Sequence, residues 1–173
     1  VLLDCDETAE DSITRMKPDG VNVHFVRIPK GKEMSTESLL AAGEGITDGV
    51  KLLIPGAPLE AVCYACTSSS MLLGDDAVIA RINAGHPGAQ ATTLALASAR
   101  ALAVLGARNI ALATPYTADI TTKQAMYFEG HGFMIAAARC LDIVQDVDAV
   151  RLSAEAITHL ARESVSSAQQ LHP

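Results

Sequence analysis

Apolar residues fall into short runs separated by longer stretches with helical spacing. Val1-Leu2-Leu3 reads as the remnant of a first strand. Residues 6–16 open acidic and continue at helical spacing until Pro18-Asp19-Gly20, which predicts a helix with a hard end. Residues 21–28 alternate apolar and polar and predict a strand. Ser35 and Thr36 open a helix expected to run to about residue 53, where Pro55-Gly56-Ala57-Pro58 stops it. Residues 59–66 are rich in small and apolar residues, as suits a strand buried on both faces. Thr67 to Ser70 connects this strand to an acidic helix over 75–84, followed by the turn Gly85-His86-Pro87-Gly88. A short strand over 90–93, an Ala/Leu helix over 95–105 and a strand over 109–113 follow. Then come a helix over 120–129 with a glycine-type end at Gly130-His131-Gly132, a strand over 133–140 and a helix over 153–162. The polar tail 164–173 is expected to fray. Strands alternating with helices of this length imply an α/β fold with parallel sheets.

Composition narrows the function. Apolar residues make up 49% of the 173 positions and charged residues 19%, which excludes a disordered chain. No apolar run reaches the ~20 residues of a membrane helix. Thirteen basic against twenty acidic residues give a net charge of −7, and aromatics are only 3% with no Trp. Both facts argue against a nucleic-acid partner. Cysteines at 5, 63, 66 and 140 lack the spacing of a secreted disulfide scaffold, which points to a reducing, cytoplasmic setting. The chain opens with Val inside an apolar run, and a native N-terminus further upstream is expected.

Cys63 and Cys66 have CxxC spacing, but residues three apart in a strand point to opposite faces, and no second ligand pair accompanies them. No metal and no redox role is therefore expected. Cys66 alone stands out, because it ends a strand ahead of Thr67-Ser68-Ser69-Ser70. Gly43, Gly45 and Gly49 mimic a phosphate loop, yet they fall in a helical stretch with the wrong spacing and read as helix surface. The serines lack the GxSxG elbow. The histidines at 24, 86, 131, 159 and 172 show no ligand spacing and read as turn or surface residues. Tyr116, after Pro115, ends a strand much as Cys66 does, at the edge where α/β proteins place their ligands.

Residues 59–70, from Leu59 through Cys66 to Ser70, resemble the aspartate/glutamate racemase superfamily, specifically its maleate cis-trans isomerase and arylmalonate decarboxylase branch. Supporting stretches, in chain order, are 6–11, Pro18-Asp19-Gly20-Val21, Arg27-Ile28-Pro29, Leu105-Gly106-Ala107-Arg108, Thr114-Pro115-Tyr116-Thr117 and Gly132-Phe133. Residues 53–66 are similar to the ectoine-utilization proteins of that branch.

The resemblance implies two similar α/β lobes with parallel sheets flanked by helices and an active site between them. Here these would be residues 1–94 and a truncated 95–173. In racemases of the superfamily two cysteines act on opposite faces of the substrate carbon, with no cofactor. In maleate isomerases the first-lobe cysteine adds to the double bond. Arylmalonate decarboxylases carry Gly there and keep only the second cysteine. Cys66 occupies the first position, so the resemblance implies that Cys66 is catalytic. Thr67 and Ser68 match residues that bind a substrate carboxylate. Tyr116, followed by Thr117, matches the family tyrosine that hydrogen-bonds the same group. Asp6 aligns with an Asn of maleate isomerases, and a second Asn of theirs falls near Asp146. Two extra carboxylates would repel a dicarboxylate. Cys140 lies one strand too early for the second catalytic cysteine and reads as a core or rim thiol.

The expected function is a cofactor-independent isomerase or racemase acting on a small carboxylic acid. The alternatives are a decarboxylase of the same fold or a small-carboxylate binding protein. The surfaces left by the absent part of the second lobe point to a homo-oligomer.

Overall fold

The computed structural model describes residues 1–31 and 33–171. The chain divides into two units. One comprises Val1–Lys32 and Glu37–Leu96, the other Glu33–Thr36 and Ala97–Pro173.

The first unit contains β1 (Leu2–Leu3), α1 (Ala9–Met16), β2 (Arg27–Ile28), α2 (Thr36–Ala41, whose first residue belongs to the other unit), α3 (Ile46–Lys51), β3 (Ala61–Tyr64), α4 (Thr67–Leu73), α5 (Asp75–Gly85) and β4 (Gln90–Thr93). β1 pairs parallel with β2, and β3 pairs parallel with β4. Val1 joins the two pairs: its nitrogen donates to Cys63 O at 2.7 Å and its carbonyl accepts from Ala65 N at 2.9 Å. The strands therefore lie in the order β2-β1-β3-β4, all parallel. Ile46 and Val50 of α3 and Val78 and Ile82 of α5 are fully buried, as are Leu2 and Ile28 from the sheet. Burial of such side chains contributes about 1.5–3 kcal/mol each.

Several expectations from the sequence change here. Of the strand expected over 21–28, only Arg27–Ile28 pairs, because β1 offers only two strand residues to pair with. The helix expected over 35–53 is interrupted by a 3-10 turn at Ala42–Gly45. The glycines read as helix surface are in part buried. A side-chain carbon on Gly43 would stand 2.7 Å from Leu73, and Gly49 lies directly against Ile28. They permit close packing of helix on sheet and helix on helix. The connection Thr67 to Ser70 is itself the start of helix α4, and Gly74, at φ 82°, separates α4 from α5.

α6 (Leu94–Val104) crosses the boundary between the units. The second unit contains β5 (Asn109–Thr114), α7 (Ala118–Gly130), β6 (Met134–Cys140), α8 (Asp146–Val150) and α9 (Ala154–Leu171). β5 and β6 are parallel, with a register shift at Ile110 and Ala111. α7 packs on β6, and α9 packs on both strands. Phe128 of α7 meets Phe133 edge-on at 6.1 Å, and the Thr114 and Thr121 hydroxyls lie 2.6 Å apart. Residues 33–36 belong to this unit: Met34 N donates to Val144 O at 2.9 Å. Thr36 also donates to Asp119 and accepts from Lys123. The Lys123 hydrogen bond holds the Asp119 carboxyl below the ordinary carboxylate range. The tail expected to fray is helical through Leu171, while His172 and Pro173 lie outside the described residues. The α/β class expected from the sequence, with parallel strand pairs flanked by helices, is the observed one.

Candidate active site

β1 lies between β2 and β3, so the connections that leave the first unit's sheet diverge at the β1/β3 boundary. In open α/β sheets ligands bind in the crevice outside the carboxyl ends of the strands at such a switch point. After β1 the chain reads Asp4-Cys5-Asp6, and after β3 it reads Ala65-Cys66-Thr67-Ser68.

Cys66 is buried and caps α4 with extended backbone angles, φ −122° and ψ 109°. Its carbonyl accepts from Ser70 N at 3.0 Å, which begins the helix. Its Sγ lies 3.7 Å from Ser68 Oγ. Ser68, Ser69 and Ser70 are all buried, and each hydroxyl has a partner. Ser70 Oγ donates to Cys66 O, and Ser69 Oγ donates to Leu39 O at 2.6 Å. Thr67, half-buried, is the first residue of α4.

Sequence reasoning missed Tyr64. Its side chain is 0% exposed, and its hydroxyl donates to Ser69 Oγ at 2.9 Å. Burial pushes the Tyr64 phenol far above its ordinary range, and the neighbouring Cys66 adds to the rise. The signal was present in the sequence, since strand alternation puts residues 62, 64 and 66 on one face. Val62, Tyr64 and Cys66 are accordingly buried, with Cys63 less so. Cys63 is a free thiol whose pKa burial raises, so the two CxxC sulfurs are not joined. Among the described residues no group of His, Cys, Asp and Glu is arranged to hold a metal ion.

Asp6 stands beyond the end of β1, half-buried. Its Oδ1 accepts the amides of Thr8 and Ala9, both at 2.9 Å. Arg27 fixes the same loop from β2, donating to the carbonyls of Leu3 at 3.1 Å and Asp6, and to the Glu10 carboxylate at 3.0 Å. Asp6, Cys66, Thr67 and Ser68 thus share one strand-end edge. Tyr116 and Thr117 lie at the carboxyl end of β5, in the other unit. Tyr116 O accepts from Asp142 N at 3.1 Å and Pro115 O from Ile143 N at 3.0 Å, which extends the β5–β6 ladder by backbone bonds. Asp142 adopts φ 56° to make this turn. Thr117 is the N-cap residue of α7, its carbonyl accepting from Thr121 N at 2.9 Å. Cys140 ends β6 in register with Thr114.

Together these features define an α/β protein that sets a buried cysteine among hydroxyls at a topological switch point. A model of the arylmalonate decarboxylase family matches residues 32–172, and the chain belongs to that family. Among solved structures it is similar to the maleate cis-trans isomerase of Nocardia farcinica bound to TRIS. The TM-score is 0.82 at 25% identity, over 94% of this chain and 70% of that one. The C-to-S mutant of that isomerase, carrying a covalently bound succinylcysteine intermediate, matches with TM-score 0.81, 25% identity and the same coverage. A liganded double mutant of arylmalonate decarboxylase shares the fold, with TM-score 0.75 and 22% identity over 83% of this chain and 61% of that one. No curated protein sequence matches this chain.

Proposed function

We propose that this protein is a cofactor-independent isomerase or racemase that acts on a small carboxylic acid through Cys66. The carrying observation is the position of Cys66 at the switch point, with the Ser68 hydroxyl 3.7 Å from its sulfur. The succinylcysteine intermediate of the 25% identical Nocardia isomerase supports a covalent route. In that route the Cys66 thiolate forms a C–S bond to an alkene carbon as the π bond breaks. The electron pair moves onto the adjacent carboxylate as an enediolate, which hydroxyls of Thr67 and Ser68 receive. After rotation about the C–C bond that was the double bond, the pair returns to it, the C–S bond breaks and the thiolate leaves. Tyr116 and Thr117 are assigned to the substrate carboxylate by the family pattern.

The extra carboxylates of Asp6 and Asp146 favour a substrate with an amine or a single carboxylate over maleate. The likeness of residues 53–66 to the ectoine-utilization protein EutA supports a role in ectoine degradation, in the cytoplasm. A homo-oligomer with lobes 1–94 and 95–173 completes this reading. The test is turnover of candidate acids by the full-length protein and its Cys66→Ala variant. Turnover that survives the substitution overturns the nucleophile assignment.

The family match over residues 32–172 favours a second reading, a decarboxylase in which Cys66 is auxiliary. Carbon dioxide released from malonate-type acids, undiminished in Cys66→Ala, selects it. Binding of carboxylic acids without turnover of any kind selects a non-catalytic binding protein.

A further inference from the structure

We propose that Arg27 is a positioning residue that sets the substrate preference of the strand-end edge by holding Asp6 in place. The proposal rests on the reading of Asp6 as a residue that meets the substrate beside Cys66.

Arg27 reaches the turn after β1 from the neighbouring strand. β2 pairs with β1 on the side away from β3, so Arg27 is one strand removed from Cys66. Its Nη1 donates to the carbonyls of Leu3 at 3.1 Å, Asp4 at 3.4 Å and Asp6. Asp6 N donates to Leu3 O at 3.2 Å and closes the same turn. The other edge of the guanidinium faces α1, with Nε and Nη2 each 3.0 Å from Glu10 Oε1. One planar cation therefore joins the edge strand, the turn and the first turn of the helix. Carbonyls gathered on one side of a turn repel one another, and a cation at their oxygens removes that cost. The Arg27–Glu10 pair is part-exposed, so the carbonyl bonds, not the ion pair, carry the positioning.

Asp6 is held at two points. Its carbonyl accepts from Arg27, and its Oδ1 accepts the Thr8 and Ala9 amides. Its Oδ2 has no hydrogen-bond partner among the described residues. That oxygen is the acceptor left for a substrate ammonium, and the same charge repels a second substrate carboxylate. The other acids of the segment are engaged by backbone or side chain: Asp4 Oδ1 accepts the Lys30 amide at 3.2 Å, and Glu10 takes Arg27. Lysine at position 27 would keep the charge and lose the fork, serving the carbonyls or Glu10 but not both.

The measurement is protection of Cys66 from iodoacetamide in the full-length protein, with labelled peptides identified by mass. The probes are β-alanine and succinate, which differ by an ammonium in place of one carboxylate. The ratio of their half-protecting concentrations reports the preference, and the parent favours β-alanine. Arg27→Gln and Arg27→Lys shift the ratio toward succinate by about tenfold. In an Asp6→Asn background Arg27→Gln shifts it no further, because Arg27 acts through Asp6. Cys5 lies in the turn and reports its opening: Arg27→Gln speeds Cys5 labelling by about fivefold, with Cys140 unchanged. A merely structural role would speed both thiols and leave the ratio where it was. An unmoved ratio in Arg27→Gln, or an equal further shift in the Asp6→Asn background, overturns the proposal. Arg27→Lys decides by its ratio if Arg27→Gln does not fold. Failure of both acids to protect the parent overturns the site reading and the proposal with it. A protected parent with an unmoved ratio in Arg27→Gln overturns only the role of Arg27.

Discussion

Asp6 Oδ1 accepts the Ala9 amide at 2.9 Å, on the same oxygen that receives the Thr8 amide. A residue placed at the strand-end edge by its position thus also closes the first turn of α1. The two roles separate by substitution. Asp6→Ala loses the acceptor and costs about 1 kcal/mol of stability. Asp6→Asn keeps a carbonyl oxygen at the same place, so urea denaturation finds it close to the parent. On the proposed function, loss of the charge in Asp6→Asn also raises turnover of maleate relative to monocarboxylates. Equal destabilisation by Ala and Asn would show that the hydrogen bonds do not carry this effect.

Ser68 offers a test of the hydroxyls at the thiol. Its Oγ lies 3.7 Å from the Cys66 sulfur, and the residue is 2% exposed. Ser68→Ala lowers kcat by about tenfold or more, with a smaller change in KM, if the hydroxyl supports charge that develops during reaction. A change confined to KM would instead mark Ser68 as a simple binding contact.

These sites show what the sequence makes legible. The strand leading to Cys66 is readable, because a run rich in small apolar residues has few other uses, although it pairs only over Ala61–Tyr64. The place of Cys66 at the switch point is not, since it depends on Val1 bridging β1 to β3. Helix α4 was hidden because Thr67-Ser68-Ser69-Ser70 has the composition of a loop. Its hydroxyls are buried and satisfied by partners such as Leu39 O, distant in sequence. The short β2 was hidden for a related reason: alternation over 21–28 describes a chain able to pair, while β1 sets how much of it does. Tyr64 is within reach of the alternation rule, which puts it on the same strand face as Val62.

Thr93 links a strand end to two helices. Its hydroxyl donates to Asp75 Oδ1 at 2.7 Å and accepts the Leu96 amide at 2.9 Å, with the residue fully buried. Thr93→Val leaves both partners short and destabilises by about 1–3 kcal/mol. Thr93→Ser retains the oxygen and loses less. Thermal and urea unfolding distinguish them, and equal losses would show that the methyl group, not the hydroxyl, matters.

Alkaline pH acts on the same strand. Burial raises the pKa of the Cys63 thiol and of the Tyr64 phenol in the folded protein. Each group binds its proton more tightly folded than unfolded, so its contribution is complete below the unfolded pKa. Stability falls as pH rises past about 8.5 for the thiol and about 10 for the phenol. Tyr64→Phe flattens the upper part of this decline, as read from urea midpoints between pH 7 and 11. An unchanged slope in that variant refutes the assignment to Tyr64.

Gly85 is held by backbone. A side-chain carbon there would lie 2.6 Å from Thr47 O and 2.9 Å from Val50 Cβ. The carbonyl belongs to α3 and cannot swing aside, so Gly85→Ala pushes α5 away from α3. The expected loss is about 1–3 kcal/mol, despite the better helix propensity of Ala. A neutral or stabilising result would mean that the helices adjust without cost.

The serine-rich turn of α4 has one more consequence. The Ser68 hydroxyl beside the Cys66 sulfur is neutral, so ionic strength has little hold on it. A dipole close to sulfur is felt over a few ångströms, well inside the ~10 Å screening length of 0.1 M salt. On the proposed function, added salt therefore tunes capture of an anionic acid past Asp4 and Asp6. The intrinsic reactivity of the thiol stays nearly constant, and a salt series divides arrival of the substrate from chemistry upon it.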